Sequence, residues 1–526
     1  MAYETKVLRH SLADPDDFTI TFELVPGRGG HSRAIDRILT LAAEMAADRR
    51  FQAVSITENA GGHPALSPEV LGQEIHAMGL DAIIHLSCKD KNRNQMESQL
   101  FAWSREGIDN LLVIAGDYPQ KGYQGCPKPV YDLDTVQALD MISALNRGVG
   151  AGGGKKSVEP TSFFKGVAVS PFKMLESEQV MQYGKLLRKV AAGADFAITQ
   201  VGYDLRKFHE LLVFKEQQQL AIPLLGNVFI PNMAVVELMH DGRVPGCVIT
   251  DGLYSQLQWE ARAADGGREA RLQRAAKLLA ALRGIGYDGV HIGGPGLVYA
   301  DLAYVLDQAE SYARDWQACI PDLSFWPQQA YYLFQKDETT GLNRHVPARP
   351  AAGKKVFAPG YFLARGVHDL AFTEQGPFYK PLRRFCLLLG GRCRNCLIYS
   401  EHVIKAVLFR CRNCGDCTLA ELAFLCPQSG CAKYLLNGPC GGSRDGWCEV
   451  YPGVRRCFYV MVYERLKSCG RERDLASGYI APRNWELNNT SSWLNFYLGR
   501  DHTARGGNCP GRRPVALSGK NEKKLL

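Results

Sequence analysis

Short apolar runs recur through the first 300 residues of the chain, and each is followed by a stretch whose apolar positions repeat at helical spacing. Eight runs predict strands, at 18–24, 53–57, 82–88, 111–116, 166–170, 196–200, 222–229 and 289–294. Helices are predicted between them, for example at 32–48, 177–194 and 259–284. This alternation is typical of βα units around a parallel sheet. Eight strands in about 300 residues fit an α/β fold of the (β/α)8 TIM-barrel type better than an open sheet.

The pattern weakens after the eighth strand. Residues 335–380 carry Pro, Gly and charge without sustained periodicity, and cysteines become frequent beyond them. We predict a barrel, a linker leading into a second domain, a smaller cysteine-rich metal or iron–sulfur domain and a flexible tail, with bounds 1–325, 326–380, 381–510 and 511–526. The glycine-rich stretch 148–157 predicts a mobile surface loop in the fourth crossover.

Charge and cysteine are unevenly distributed over the 526 residues. The net charge is +8, and 27 of the 62 Lys and Arg but only 13 of the 54 Asp and Glu follow residue 350. Thirteen of the 17 cysteines lie at or beyond Cys386. With no apolar run of about 18 residues and no signal peptide, we expect a cytoplasmic protein without a membrane span. In that setting clustered cysteines favour metal ligation over disulfides.

The active site of such a barrel lies at the C-terminal ends of its strands, so polar residues there are candidates. Burial of Glu23 between apolar neighbours would raise its pKa toward that of a general acid, although a rim carboxylate paired with a base is an alternative. Asp117 follows Gly116 and could contact a ligand or form a turn. The other candidates at strand ends are Thr57, Asn59, His85, Thr199 and Gln200.

For three residues, His85, Arg188 and Lys189, the sequence pattern by itself does not indicate a functional role. His85 by itself is more typical of a hydrogen-bonded core histidine than of a catalyst. Arg188 and Lys189 by themselves resemble an exposed basic pair on a helix.

Taken together, five segments in order resemble the methylenetetrahydrofolate reductase family. They are FELVP (22–26), SITENAG (55–61), HLSC (85–88), AGDYP (115–119) and KLLRKVAAGADFAITQ (185–200). The resemblance covers about residues 15–300. It implies a flavoprotein barrel that exchanges a hydride between reduced flavin and 5,10-methylenetetrahydrofolate, giving 5-methyltetrahydrofolate, or the reverse oxidation.

The resemblance also assigns roles by position. Glu23 matches the general acid, and Asp117 matches the aspartate that contacts the pterin and tunes the flavin. Gln200 matches a folate-contacting glutamine. The flavin-contacting positions are Thr57, Asn59, His85, Gly116, Asp117, Arg188 and Lys189.

Two departures from the family pattern concern electron supply. The segment VSPFKM (169–174) lacks the Tyr and His that family members often carry there, so the flavin is either FAD or FMN. The segment after Asn232 lacks residues associated with nicotinamide stacking, and direct use of NAD(P)H stays an open alternative.

Eight cysteines between 411 and 457 form the main metal-binding candidate. A Cys-x2-Cys-x2-Cys triplet followed by Cys-Pro is typical of iron–sulfur ligation, and eight thiolates suit two [4Fe–4S] clusters. One cluster plus zinc is the alternative. Cys386, Cys393 and Cys396 could form a further partial zinc site with Cys469. The eight are Cys411, Cys414, Cys417, Cys426, Cys431, Cys440, Cys448 and Cys457.

Residues 380–505 are similar to the cysteine-rich C-terminal module associated with the same family. CRNCGDC (411–417), NGPCGG (437–442) and PRNWELNNTSSWLNFYLGRDH (482–502) carry that similarity. It implies electron delivery to the flavin from a ferredoxin-like or NADH-linked partner, or a docking role.

We also expect the protein to bind tetrahydrofolate substrates, to form an oligomer and to have no nucleic-acid partner. Two functions of other classes remain as alternatives. One is a non-redox scaffold that binds folate or a methyl carrier, and the other is a zinc-thiolate methyltransferase component.

Overall fold

The structure is a computed structural model that describes residues 7–150, 157–348, 359–476 and 478–505. Most of the predicted glycine-rich loop and the whole predicted tail lie outside these residues. Across the described ranges, no helix combines the length and the apolar character that crossing a membrane requires.

Eight parallel strands close into a barrel in chain order, which confirms the predicted (β/α)8 fold. Closure occurs where the first strand pairs with both the second and the eighth, so that Thr21 lies between Ala53 and His291. The strands are β1 (Thr19–Leu24), β2 (Ala53–Ile56), β3 (Asp81–Ser87), β4 (Asn110–Ile114), β5 (Phe164–Val169), β6 (Phe196–Thr199), β7 (Leu224–Phe229) and β8 (Gly289–Gly293).

Helices surround the barrel and connect its strands. Several begin at side-chain caps of the kind that satisfy free N–H groups, such as Ser32 before α2 and Asp134 before α5. The helices of this half are α1 (Val7–Ala13), α2 (Arg33–Asp48), α3 (Pro68–His76), α4 (Arg93–Arg105), α5 (Thr135–Asn146), α6 (Glu176–Ala191), α7 (Leu205–Gln217), α8 (Met233–His240), α9 (Asp251–Glu260), α10 (Arg268–Ile285) and α11 (Tyr299–Tyr312).

The barrel interior changes character along its axis. At the N-terminal end, Leu8 and Leu12 of α1 pack with Ala53, Ile83 and Leu225 of the strands in a closed apolar cluster. Toward the C-terminal end the inward positions become hydroxyls, imidazoles and a carboxylate. The apolar end therefore seals the barrel, and the polar end is the one available for chemistry.

The helix predicted over 259–284 is interrupted in the structure. Helix α9 ends at Glu260 and α10 begins at Arg268, with Gly266 and Gly267 between them in left-handed conformations. Two adjacent glycines at positive φ break the helix because other residues rarely adopt that conformation.

The segment predicted as a linker contains regular structure. Strands β9 (Phe334–Lys336) and β10 (Asn343–Pro347) form a hairpin against α7, where Asn343 accepts a 3.0 Å hydrogen bond from Arg206. Two helices follow, α12 (Pro359–Ala371) and α13 (Tyr379–Leu388).

The cysteine-rich half packs directly on the barrel helix α6 through one of its own helices, α16. Phe458 and Tyr459 of α16 belong to the same buried apolar cluster as Tyr183 of α6, so one core runs through both halves. Its elements are α14 (Gly391–Phe409), α15 (Pro427–Gly430), β11 (Trp447–Cys448), β12 (Tyr451–Arg456), α16 (Phe458–Ser468), α17 (Ser492–Tyr497) and α18 (His502–Arg505).

Five short 3-10 turns complete the described structure. They are Ala60–Gly62, Ala313–Cys319, Pro321–Leu323, Glu472–Ala476 and Trp485–Leu487.

Candidate active site

Glu23 lies at the end of β1 between two buried histidines. His291 Nε2 on β8 is 3.9 Å from Glu23 Oε2. Each imidazole is held from behind by a hydroxyl: His291 Nδ1 is 2.8 Å from Thr21 Oγ1, and His85 Nε2 is 2.7 Å from Ser55 Oγ. Because all five side chains are on barrel strands, the cluster is fixed by the sheet itself.

The predicted rise in the pKa of Glu23 is wrong. Burial does act to raise it, but the proximity and charge of His291 outweigh burial and lower the pKa below its ordinary value. The Glu23 side chain also keeps 28% of its surface exposed. Burial lowers the pKa of His85 to about 4, so this ring is neutral at physiological pH.

Asp117 lies beyond the end of β4 and faces the turn that follows β2. Its Oδ2 accepts a 2.8 Å hydrogen bond from the Gly61 backbone N–H. Gly116 adopts φ +79°, and a Cβ added there would lie 2.1 Å from Ser87 Oγ. The residue before Asp117 must therefore be glycine for this carboxylate to reach its position.

Several buried polar atoms around the mouth have no hydrogen-bond partner within the described structure. Native proteins satisfy nearly all such atoms, so unpaired ones that gather at one place mark a site where a ligand supplies the partner. They are Thr57 Oγ1 after β2, Ser170 Oγ after β5, Gln182 Nε2 on α6 and Asn227 Oδ1 on β7.

Asn59 and Gln200 are both engaged with their surroundings. Asn59 Nδ2 donates to Asp90 Oδ2 at 3.1 Å, and Asn59 Oδ1 accepts from the Ala65 N–H at 2.9 Å. Gln200 Oε1 accepts from the Val201 N–H at 2.9 Å. Both residues are half-buried beside the strand ends where the sequence predicted them.

Arg188 and Lys189 lie on α6 and are not an exposed pair. Arg188 donates to the Leu475 carbonyl of the cysteine-rich half, and Lys189 donates to the Ala168 carbonyl on β5. Burial lowers the pKa of Arg188, and burial together with the charge of Lys185 lowers the pKa of Lys189 well below its ordinary value.

A segment of the cysteine-rich half, 437–446, crosses the barrel mouth; we call it the capping segment. Lys173 after β5 donates to the Ser443 carbonyl at 2.7 Å, and Lys185 on α6 donates to the Pro439 carbonyl at 2.8 Å. Asp134 accepts from the Asn437 N–H at 2.8 Å, and Glu178 accepts from the Gly446 N–H at 3.0 Å. These contacts bring Cys440 to the edge of the barrel site.

Lys433 links this half to the turn that carries Asp117. Its Nζ donates to the Gly116 carbonyl at 2.7 Å and forms an ion pair with Glu449. Burial opposes its charge, but Glu449 and the neighbouring Cys440 raise its pKa well above the ordinary value. The lysine is therefore a buried cation placed between a cysteine and the barrel mouth.

The eight central cysteines divide into two sets of four, and each set lines its own small cavity. The first set is Cys411, Cys414, Cys417 and Cys426. The second set is Cys431, Cys440, Cys448 and Cys457. The second cavity also contains Lys433 and therefore lies against the barrel, whereas the first lies beside α14.

Buried charges surround the first cavity. Lys405 Nζ on α14 is 3.2 Å from Cys417 Sγ and 2.6 Å from Ser492 Oγ. Burial opposes the charge of Lys405, but Cys417 and Glu401 raise its pKa. A cation in contact with a cysteine sulfur offsets the negative charge of a thiolate.

Within the described ranges no three or more His, Cys, Asp or Glu side chains are arranged to hold a metal ion, and this holds for the two cysteine sets as well as for the further zinc site suggested by the sequence. Cys386 is buried in an apolar cluster on α13, while Cys393 and Cys396 are exposed at the start of α14.

His291 and Lys433 were not identified from the sequence. His291 could have been found because it occupies an inward position of β8, two residues after Gly289, in a strand next to Glu23. Lys433 follows Cys431 in a loop, and no local pattern predicts its contact with Gly116.

Family models match most of the chain. One described as "Methylenetetrahydrofolate reductase" matches residues 8–292. Another described as "Methylene-tetrahydrofolate reductase C terminal" matches residues 392–486. The first alone spans the barrel from α1 into β8.

Individual relatives are more distant. The 5,10-methylenetetrahydrofolate reductase of Salmonella typhimurium is 26% identical over 214 residues, which are 39% of this chain and 63% of that protein. Methylenetetrahydrofolate reductase 2 of Saccharomyces cerevisiae is 27% identical over 171 residues, 31% of this chain and 26% of that protein. The chain thus spans less than two thirds of the length of these relatives.

A solved structure titled "Uncharacterized protein from Clostridium thermocellum binds two copies of 5-methyl-5,6,7,8-tetrahydrofolic acid" is 11% identical, with a TM-score of 0.41 over 59% of this chain and 99% of that one. A likeness this weak does not bear on function. The match over residues 8–292 covers more than half of the chain. The protein therefore belongs to the methylenetetrahydrofolate reductase family.

Proposed function

We propose that the barrel binds flavin and interconverts 5,10-methylenetetrahydrofolate and 5-methyltetrahydrofolate, with electrons supplied through the cysteine-rich half. One observation carries the proposal most directly. Glu23, with its two histidines, and Asp117 lie at one barrel mouth, and a cavity lined by four cysteines adjoins that mouth through Lys433.

The substrate is a neutral ring that must open to a cationic iminium before it can accept a hydride. Glu23 is suited to stabilise that cation because His291 keeps its pKa low and its carboxylate charged. To open the ring, the same group must also deliver a proton. A folate lying over Glu23 would remove its remaining exposed surface, raise its pKa by desolvation and favour the protonated acid.

Asp117 is proposed to fix the other end of the pterin. Its Oδ2 is held by the Gly61 N–H, while Oδ1 remains available to a donor on the substrate. A carboxylate held by backbone does not have to be reoriented when the substrate binds, which lowers the cost of positioning it.

The polar groups at the mouth fit a flavin. When bound there, a reduced flavin supplies the hydride. Thr57 and Asn227 offer unpaired oxygen atoms, and Gly116 allows a close backbone approach. Arg188 is half-buried and Lys189 is buried, and an anionic phosphate would stabilise the charged form of each.

The two cysteine sets are proposed to hold two [4Fe–4S] clusters, which transfer single electrons, and the support for this is that four cysteines line each cavity. Burial raises the pKa of Cys411 to about 11 and that of Cys457 to about 12, so bound iron would be needed to keep these groups as thiolates. Lys405 and Lys433 place one positive charge beside each set. The second cavity lies nearer the barrel, so it is proposed as the site of the cluster that adjoins the flavin.

The overall reaction consumes two electrons and two protons for each methylene group converted to methyl. The capping segment occupies part of the mouth, and the cysteine-rich half is the direct neighbour of the flavin site proposed here. Electron entry from that side therefore requires no nicotinamide stacked over the barrel.

The test is an anaerobic preparation of the full chain, with its visible spectrum, flavin, iron and zinc measured on one sample. Turnover of 5-methyltetrahydrofolate with an artificial electron acceptor is measured beside it. Stoichiometric flavin, about eight irons per chain and folate-dependent bleaching of the acceptor are expected. A reconstituted sample that holds no flavin and oxidises no folate would contradict the proposal.

A further inference from the structure

A wide groove opens beside the first cysteine cavity. It encloses about 940 Å³ and lies between α12, α14 and the segment 417–430. Its lining is mostly apolar and includes Ala364, Leu408, Phe424, Met461 and Phe496. We call it the α12–α14 groove.

The α12–α14 groove reaches the ligands of the first cysteine set. Cys417 and Cys426 line both the groove and the first cavity. A protein that occupied the groove would therefore lie in contact with two of the four cysteines, without passing near the barrel mouth.

The polar part of the groove lining is mainly positive. Arg410 and Arg455 are exposed there, and Arg456 and Arg465 also line it. Of the acidic lining residues, Glu421 is bonded to His502 and Asp501 to Thr503. Segment 359–410 carries eight Lys and Arg but only three Asp and Glu.

Apolar exposure continues from the groove over the neighbouring helices. Leu363 on α12, Leu388 on α13 and Val407 on α14 are 72%, 85% and 77% exposed. Contiguous exposed apolar surface rimmed by charge is typical of an interaction site rather than of a solvated face.

From this geometry we propose that the α12–α14 groove is the docking site of an acidic one-electron donor protein. Charge decides among the occupants. A second copy would place these arginines against one another in a symmetric contact, which is unfavourable. Segments 349–358 and 506–526 of this chain each carry more Lys and Arg than Asp and Glu, so they are repelled in the same way.

The proposal rests on the electron route given under Proposed function. Each docking event transfers one electron from the reduced donor to this protein. Two donors are therefore oxidised, and two protons taken from water, for each methylene group reduced to methyl.

The test uses the full cluster-loaded protein and, as the probe, a purified acidic ferredoxin that carries [4Fe–4S] clusters. Its dissociation constant is measured by biolayer interferometry at low and at physiological salt. The variant Arg410→Glu with Arg455→Glu is expected to bind about tenfold more weakly and to lose most of the salt dependence. Leu408→Asn, which makes the apolar wall polar without adding charge, should weaken binding to a similar degree.

The matched control is Arg37→Glu with Arg262→Glu, which reverses two exposed arginines on the barrel. It should bind the ferredoxin like the wild type. Wild-type protein that fails to bind the probe, groove variants that bind unchanged, or a wild-type dimer that dissociates in the groove variants would each overturn the proposal.

Dye-linked folate turnover separates this proposal from the one on which it rests. Groove-dependent ferredoxin binding without any folate turnover would contradict the proposed function and leave the docking site standing. If turnover is normal and the groove substitutions leave ferredoxin binding unchanged, the docking site alone would be contradicted.

Discussion

The barrel mouth and the cysteine cavities position their reactive groups by different means. At the mouth, Glu23, His85 and His291 are on paired strands, and each imidazole is fixed by a hydroxyl of the same sheet. In the cysteine-rich half, most of the proposed ligands lie in loops that contain residues at positive φ, such as Asn413 and Tyr434. At the barrel mouth, hydrogen bonds between strands fix the positions of the reactive side chains. In the cysteine-rich half, those positions depend on side-chain contacts and on the bound group.

This difference indicates which site would survive the loss of its proposed cofactor. Strand hydrogen bonds and the apolar seal at the opposite end of the barrel are present with or without a flavin. The cysteine loops combine left-handed backbone with two buried cations, Lys405 and Lys433, each of which has one glutamate partner and lies beside cysteines. We therefore expect metal loss to unfold the cysteine loops before the barrel.

Cys440→Ser should have the largest effect and test this order directly. Removing one ligand of the second set is expected to lower iron from about eight to about four atoms per chain and to abolish turnover driven by a protein electron donor. Flavin content and dye-linked folate turnover should stay near wild type, because the barrel supplies both. The control is Cys393→Ser, an exposed thiol outside both sets. Loss of flavin together with iron would show that the two sites are not independent.

Glu23→Gln should have the second largest effect. Loss of a general acid typically costs a factor of 10² to 10⁴ in rate, so we expect a fall of about 10³ in dye-linked folate turnover with flavin retained. Stopped-flow measurement of flavin reoxidation by methylenetetrahydrofolate reports this step. Glu44→Gln on the exposed face of α2 is the matched control. Unchanged reoxidation would remove Glu23 from the mechanism.

His502→Gln should destabilise the cysteine-rich half in a pH-dependent way. Burial acts to lower the pKa of His502, but Asp416 and Glu421 raise it to about 10. A raised folded-state pKa gives stability that is complete below pH about 6.5 and is lost as pH rises through about 10. Calorimetry should show a deficit of about 3 kcal/mol at pH 6 that shrinks toward pH 10. A deficit independent of pH would mean that the charge of His502 does not contribute.

Gly116→Ala should have the smallest effect of the four, about 2 kcal/mol in the free energy of unfolding. The new methyl would collide with Ser87 Oγ, and the backbone would have to leave its left-handed conformation. Because Gly116 also accepts from Lys433, the KM for folate should rise together with the loss of stability. Gly184→Ala on α6, where no atom lies within 4 Å of an added Cβ, is the control.

The barrel could be predicted because each strand has a local sequence signal, a short apolar run between helical stretches. The sequence placed Glu23, Asp117 and Gln200 at strand ends for the same reason. It could not predict the low pKa of Glu23, because His291 becomes its neighbour only when β1 and β8 close the barrel across about 270 residues. The two cysteine sets were likewise beyond its reach, since spacing along a loop does not fix which thiols share a cavity.

The continuous core formed by α16 and α6 has a consequence for how this protein is produced. Residues such as Phe458, Tyr459 and Tyr183 lose their apolar partners if the chain is cut near residue 350. Each piece would then expose apolar surface and aggregate unless the other piece were synthesised together with it. The contact between the two halves therefore resembles the interface of an obligate complex within one polypeptide. On heating the intact chain, this interface should unfold in a single cooperative step.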